Sequence, residues 1–205
     1  MKKLIALALA LLMAMSFALV GCDGKGSVDT ANTYDTVDTD NPEEVARVYS
    51  ELISSGELEK ADGFQLVHKQ QYYEIFAKYE ELSLGEYLDY YYDVGSMEEY
   101  WSTSEKKISD ELESKYGKDV KCTVQNVQAK ELSSDEVDSL KENYGEFIDP
   151  YYGYRLDELN VDISKVEAAS RMMVTVELSG SKSSGTDDLS LLLVKYDGKW
   201  KFFNL

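Results

Sequence analysis

The sequence predicts an α+β fold, with helices in its N-terminal half packed against an antiparallel sheet built from its C-terminal half. Three observations carry that prediction. Apolar residues recur at three-and-four spacing from Val45 to Leu112, they alternate from Val120 onward, and Asp197-Gly198 sits between two closing apolar runs. With 205 residues, 43% hydrophobic and 29% charged, the chain has enough apolar surface for one ordinary core and too much for wholesale disorder.

Residues 1–21 follow the plan of an export signal. Met1-Lys2-Lys3 is a short basic start and Leu4 to Phe17 an apolar run without a charge, shorter than the ~20 residues a spanning helix needs. The run stops at small residues beside a cysteine. Leu19-Val20-Gly21-Cys22 resembles the bacterial lipobox, and that resemblance implies a diacylglyceryl group on the Cys22 thiol and cleavage before it. Two or more acyl chains hold a protein stably on a membrane, since each buried CH₂ contributes about 0.8 kcal/mol. The expected location is therefore the extracytoplasmic face of a bacterial membrane, with the membrane itself as partner through the lipid on Cys22. Residues 22–41 read as a lipidated flexible tether of Gly, Ser, Thr, Asp and Asn. Asp35, Asp38 and Asp40 lack the glycine and glutamate register of a calcium loop.

Residues 42–205 form the expected single domain. Asn41 caps a first helix, Pro42 occupies its first position, Glu43 and Glu44 face its positive end, and Gly56 ends it. Val45, Val48, Tyr49, Leu52 and Ile53 give its apolar stripe. A second helical pattern runs through Phe64, Val67, His68, Tyr72, Ile75, Phe76, Tyr79 and Leu82. Ser83-Leu84-Gly85-Glu86 and Ser96-Met97-Glu98-Glu99 read as capping boxes opening two more helices, the latter with Met97, Trp101, Ser104, Ile108 and Leu112 on one face and an end near Tyr116-Gly117.

Alternation then predicts a strand over residues 119–130. A third capping box at Ser133-Ser134-Asp135-Glu136 opens a helix that presents Val137, Leu140, Tyr144 and Phe147 or Ile148 inward and ends at Asp149-Pro150. A long strand follows, with Val166, Ala168, Met172, Val174, Val176 and Leu178 on one face, and then a polar loop over residues 180–187. In the closing hairpin, Asp197-Gly198 sets Lys195 opposite Trp200, Leu193 opposite Phe202 and Leu191 opposite Asn204. The other hairpin face carries Leu192, Val194, Tyr196 and Phe203, which calls for a helix or another protein to cover it.

This order, closing in Leu191-Leu192-Leu193-Val194-Lys195-Tyr196-Asp197-Gly198-Lys199-Trp200-Lys201-Phe202, resembles the nuclear transport factor two-like, or cystatin-like, domain of small exported lipoproteins. The resemblance covers roughly residues 42–205. It implies a curved, cone-like sheet wrapped around helices, in a family that holds isomerases and dehydratases alongside many members without chemistry. No catalytic motif of the family maps onto these residues, and a shared fold is weak evidence of a shared activity. The helical material between Ser83 and Tyr116 departs from the family's minimal plan and bears on whether the cone is open.

Composition and motifs narrow the chemistry. The 39 Asp and Glu against 21 Lys and Arg, a formal charge of −18, exclude phosphate-backbone recognition, so no nucleic acid is expected. One histidine and two cysteines offer no multi-histidine metal centre, zinc finger or disulfide scaffold, and neither metal nor cofactor is expected. His68 lies one helical turn before Tyr72, a candidate acid/base pair weighed against a partly solvated helix-edge histidine. Ser104-Glu105-Lys106-Lys107 has Ser-x-x-Lys spacing without its companion motifs, and Gly180 to Gly185 has phosphate-loop glycines without the Lys and Ser/Thr that must follow.

The 16 tyrosines are the other lead. Tyr72, Tyr73, Tyr79, Tyr87, Tyr90, Tyr91, Tyr92, Tyr100 and Trp101 crowd one segment, and helix geometry forbids Tyr90, Tyr91 and Tyr92 from all facing inward. His68, Tyr72, Tyr90, Tyr91, Tyr92 and Trp101 are therefore the candidate pocket or surface residues. The expected function is a membrane-tethered lipoprotein whose domain binds a small molecule, glycan or envelope protein without catalysis. The alternatives are a small-pocket enzyme of isomerase or dehydratase type using His68, and a cell-envelope scaffold.

Overall fold

A computed structural model of the chain describes residues 37–144, 156–159 and 161–203. The lipobox, most of the tether, Phe147, Ile148, Asp149-Pro150, Tyr151, Tyr152, Tyr154 and Asn204 lie outside those residues. The architecture is α+β: helices packed on a four-stranded antiparallel open sheet.

Helix α1 spans Pro42–Ser55. The Asn41 side chain accepts from the Glu43 N–H at 3.0 Å, and Gly56 closes the helix at φ 77°, a left-handed conformation that glycine adopts without a Cβ penalty. A short α2 that the periodicity does not mark, Leu58–Asp62, comes next, and the helix that the periodicity reads from Phe64 to Leu82 begins only at Lys69, as α3, Lys69–Tyr79, after a break. The break has a tertiary cause. Phe64 accepts from the Phe202 N–H at 2.7 Å and Leu66 donates to the Phe202 carbonyl at 2.8 Å, so this segment runs along the last strand instead of coiling.

Helices α4, Leu84–Tyr92, and α5, Met97–Tyr116, start at their serines. Ser83 and Glu86 exchange both bonds of a capping box. Ser96 accepts from the Glu99 N–H at 3.2 Å, while the Glu99 carboxylate turns to the Gly95 N–H at 2.8 Å. A third box, between Ser133 and Glu136, opens α6, Ser134–Tyr144.

The strands β1 (Lys121–Glu131), β2 (Val166–Ser179), β3 (Ser184–Tyr196) and β4 (Lys199–Phe202) pair in sequence order. The hairpin register matches the sequence expectation: Lys195 faces Trp200 and Leu193 faces Phe202, with Asp197 and Gly198 at φ 48° and 78°. The expected polar loop over 180–187 is shorter, because Ser184 to Asp187 pair with Val176 to Ser179 and leave only four residues to turn.

Both faces of the sheet are used. On one, α1 lays Val45, Tyr49, Leu52 and Ile53 over Met172, Val174, Leu191, Leu193, Trp200 and Phe202, with the Tyr49 and Phe202 rings stacked at 4.4 Å. At the far end of that face, Leu112 and Tyr116 of α5 cover Val120 and Leu178. The C-terminal end of α5 thus closes the sheet's end. On the other face, α6 packs Val137 and Leu140 over Ala169, Val194 and Phe203, so a helix of the same chain covers the second hairpin face. A β-bulge between Val166 and Ala168 turns Val166 to that side, away from the stripe that alternation assigned it. Among the described residues the remainder of the second face is uncovered and polar, with Met173 exposed between Gln128 and Ser190.

Candidate functional site

The corner where α2 meets α3 gathers the charged groups around the single histidine. Asp62 ends α2, and its Oδ1 accepts the Lys69 N–H at 2.9 Å, satisfying a donor of α3's first turn. Its Oδ2 lies 3.3 Å from His68 Nδ1, which also sits 3.0 Å from the Asp62 carbonyl oxygen. His68 is the N-cap of α3, with ψ 144°, and its own N–H donates to Gln71 Oε1 at 3.0 Å.

The electrostatics follow from this contact. The Asp62 hydrogen bond raises His68 above its ordinary value, against partial burial and the nearby Lys201. Burial lowers Lys69, opposed by Asp62, and burial together with Lys199 lowers Lys201, whose Nζ donates to the Gly63 carbonyl at 3.2 Å. The corner favours the protonated form of a half-exposed imidazole. Its carboxylate is committed at the same time to the start of a helix.

The expected pairing of His68 with Tyr72 is not what the fold makes of these residues. His68 precedes the helix, so its ring turns back to Asp62, while Tyr72 packs edge-on against Phe76 at 5.3 Å in an apolar cluster with Val67, Ile75 and Leu159. Asp62 is the residue that sequence reasoning missed. It lies six residues from His68 across a chain reversal, outside any helical or strand spacing that would mark the two as neighbours.

The tyrosines form a layer between α3, α4 and the start of α5. Tyr73 is buried at its centre, with Tyr87, Tyr92 and Tyr100 at centroid distances of 5.8, 5.1 and 5.3 Å. Its hydroxyl donates to the Tyr100 hydroxyl at 2.9 Å, which satisfies a buried polar tip within the layer. Burial pushes Tyr73 well above the ordinary phenol value and Tyr92 to about 12. Tyr91 is half-buried against Tyr87 at 4.6 Å. Tyr90 is the outward member of the triplet, at 52% exposure, and leans edge-on against Tyr91. Trp101 is half-buried on α5, with its ring 5.2 Å from that of Tyr100.

The two chance motifs are absorbed by packing. Ser104 is a hydrogen-bond partner of Tyr100, while Lys107 is exposed. Gly180 to Ser183 form the β2–β3 turn, held against the end of α5 by the Lys182 N–H to the Tyr116 carbonyl at 2.7 Å. Among the described residues no three His, Cys, Asp or Glu side chains are grouped to hold a metal ion, and no helix is long and apolar enough to cross a membrane. No family model, curated protein or solved structure matches the chain.

Proposed function

We propose that the chain is a lipid-anchored extracytoplasmic protein whose α+β domain, of nuclear transport factor two-like type, binds a partner or ligand without performing chemistry on it. The observation that carries the reading is Leu19-Val20-Gly21-Cys22 at the end of a charge-free apolar run. It supplies a hydrophobic anchor, which a chain of charge −18 needs because anionic headgroups repel its surface.

The binding part of the reading is supported by where the chemistry-bearing side chains lie. His68 faces solvent and its carboxylate neighbour caps a helix, while the tyrosine hydroxyls at the centre of the layer bond to one another. An acid/base site works from a sheltered cleft in which titrating groups converge on one substrate position. A binding module needs only an exposed, chemically distinct surface.

Two experiments test the two parts. Cells expressing the full chain and grown with a clickable fatty acid should label it, and Cys22→Ala should abolish the label; label that survives the substitution removes the anchor. Photo-crosslinkers placed at Tyr90 and at Trp101 in intact cells should give a defined adduct with one envelope component. Failure at every exposed position would remove the binding reading.

A further inference from the structure

We propose that a groove beside Trp101 receives an arginine side chain from a basic segment of a partner protein, an inference that rests on the binding reading above. The groove, of about 470 Å³, lies between the α1–α2 turn and the first turns of α5. Gly56, Glu57 and Glu59 form one wall; Glu98, Trp101 and Glu105 form the other.

Helix geometry makes the second wall a single surface. Glu98 and Glu105 stand three residues before and four after Trp101, so both carboxylates flank the indole on one face of α5. Across the gap, the Glu59 N–H donates to Glu105 Oε1 at 3.2 Å and ties the walls together, while Lys60 and the Ser55 hydroxyl hold Glu57. The Glu59 and Glu98 carboxylates have neither hydrogen-bond nor ion-pair partner among the described residues. Lys106 lines the same groove, but its ammonium is bound to Asp110 at 2.7 Å.

Of the four carboxylates that line the groove with the indole, those of Glu59 and Glu98 have no cation paired with them among the described residues, which leaves an excess of negative charge in a groove with an aromatic wall. A cation there gains from both, through Coulomb attraction to the carboxylates and through the ring quadrupole. Arginine fits better than lysine, because its planar guanidinium can stack on the indole while its edge forks to a carboxylate. The whole chain's charge of −18 draws a basic partner toward the surface, and the groove gives one of its side chains a seat.

The chain has two tryptophans, and Trp200 is buried in the core, so Trp200→Phe leaves emission from Trp101 alone. The full chain in detergent is titrated with hexa-arginine, hexa-lysine and hexa-glutamate peptides at low ionic strength. Hexa-arginine should give a saturable change in Trp101 emission and bind more tightly than hexa-lysine, with no response to hexa-glutamate. Glu59→Gln with Glu98→Gln should weaken hexa-arginine about fivefold, and the remote pair Glu131→Gln with Glu142→Gln should leave it unchanged. Calorimetry of the same variants in the chain that keeps Trp200 makes the result independent of how well Trp200→Phe folds. An unsaturable response, or equal loss from the remote pair, overturns the groove in favour of general charge attraction. A cellular adduct that persists with Glu59→Gln and Glu98→Gln overturns the groove while leaving the binding reading in place.

Discussion

Asp62 does two things with one carboxylate, and both can be read out by titration. Its hydrogen bond to His68 means that the folded chain holds a proton on the imidazole more tightly than the unfolded chain does. The resulting stability is fully present below the unfolded imidazole value of 6.5 and is lost as pH rises through the higher folded value. With the ring 47% exposed, solvent screening keeps the contribution below about 1 kcal/mol. The urea midpoint should therefore fall as pH rises from the unfolded imidazole value through the higher folded one, and His68→Gln should remove that part of the slope. Asp62→Ala should also strip the Lys69 N–H of its acceptor, costing about 1–2 kcal/mol at every pH and returning a remaining His68 resonance towards its ordinary midpoint. An unchanged His68 titration in Asp62→Ala, followed by NMR, would sink this account.

At the scale of elements, the end of α5 is where a single atom decides the packing. Gly117 has φ 90°, and a Cβ there would stand 2.4 Å from Ser181 Oγ and 2.8 Å from the Lys182 backbone nitrogen. The β2–β3 turn is bound to α5 at this point through the Tyr116 and Lys118 carbonyls, so neither side can withdraw without losing hydrogen bonds. At Gly198, with φ 78°, a Cβ would meet nothing within 4 Å. Gly117→Ala should cost about 2–4 kcal/mol, against about 1 kcal/mol for Gly198→Ala, where only the backbone conformation is strained. Equal denaturation midpoints for the two variants would show that the close approach is relieved elsewhere. The elements themselves were legible because their signals are local: Asn41, Ser83, Ser96 and Ser133 cap helices within three residues, and the Asp197-Gly198 turn fixes a register by itself. The late start of α3 at Lys69 was not legible, because Phe64 and Leu66 leave the helical pattern only to bond Phe202, more than a hundred residues away.

For the whole molecule, the same distinction separates the proposed anchor from the proposed surface. Leu19 to Cys22 is a contiguous motif, whereas the Trp101 groove joins Glu57 and Glu59 to Glu98 and Glu105 across a fold that no spacing reveals. Total charge is legible in either case, and it makes a further demand on stability. Ion pairs such as Arg47–Glu51 and Lys106–Asp110 lie on exposed helix surfaces, where each contributes no more than about 1 kcal/mol and is screened by salt. Against them stands an excess of 18 negative charges that repel one another more strongly in the compact state than in the expanded chain. Salt weakens both effects, and the repulsion involves many more pairs than the local attractions do. Raising sodium chloride from about 0.01 M to about 0.5 M, which shortens the Debye length from about 30 Å to a few Å, should therefore raise the melting temperature by a few degrees. Choline chloride at the same ionic strength should act similarly, since screening does not depend on which monovalent cation supplies it. A melting temperature that falls with both salts would mean that the local ion pairs outweigh the net repulsion.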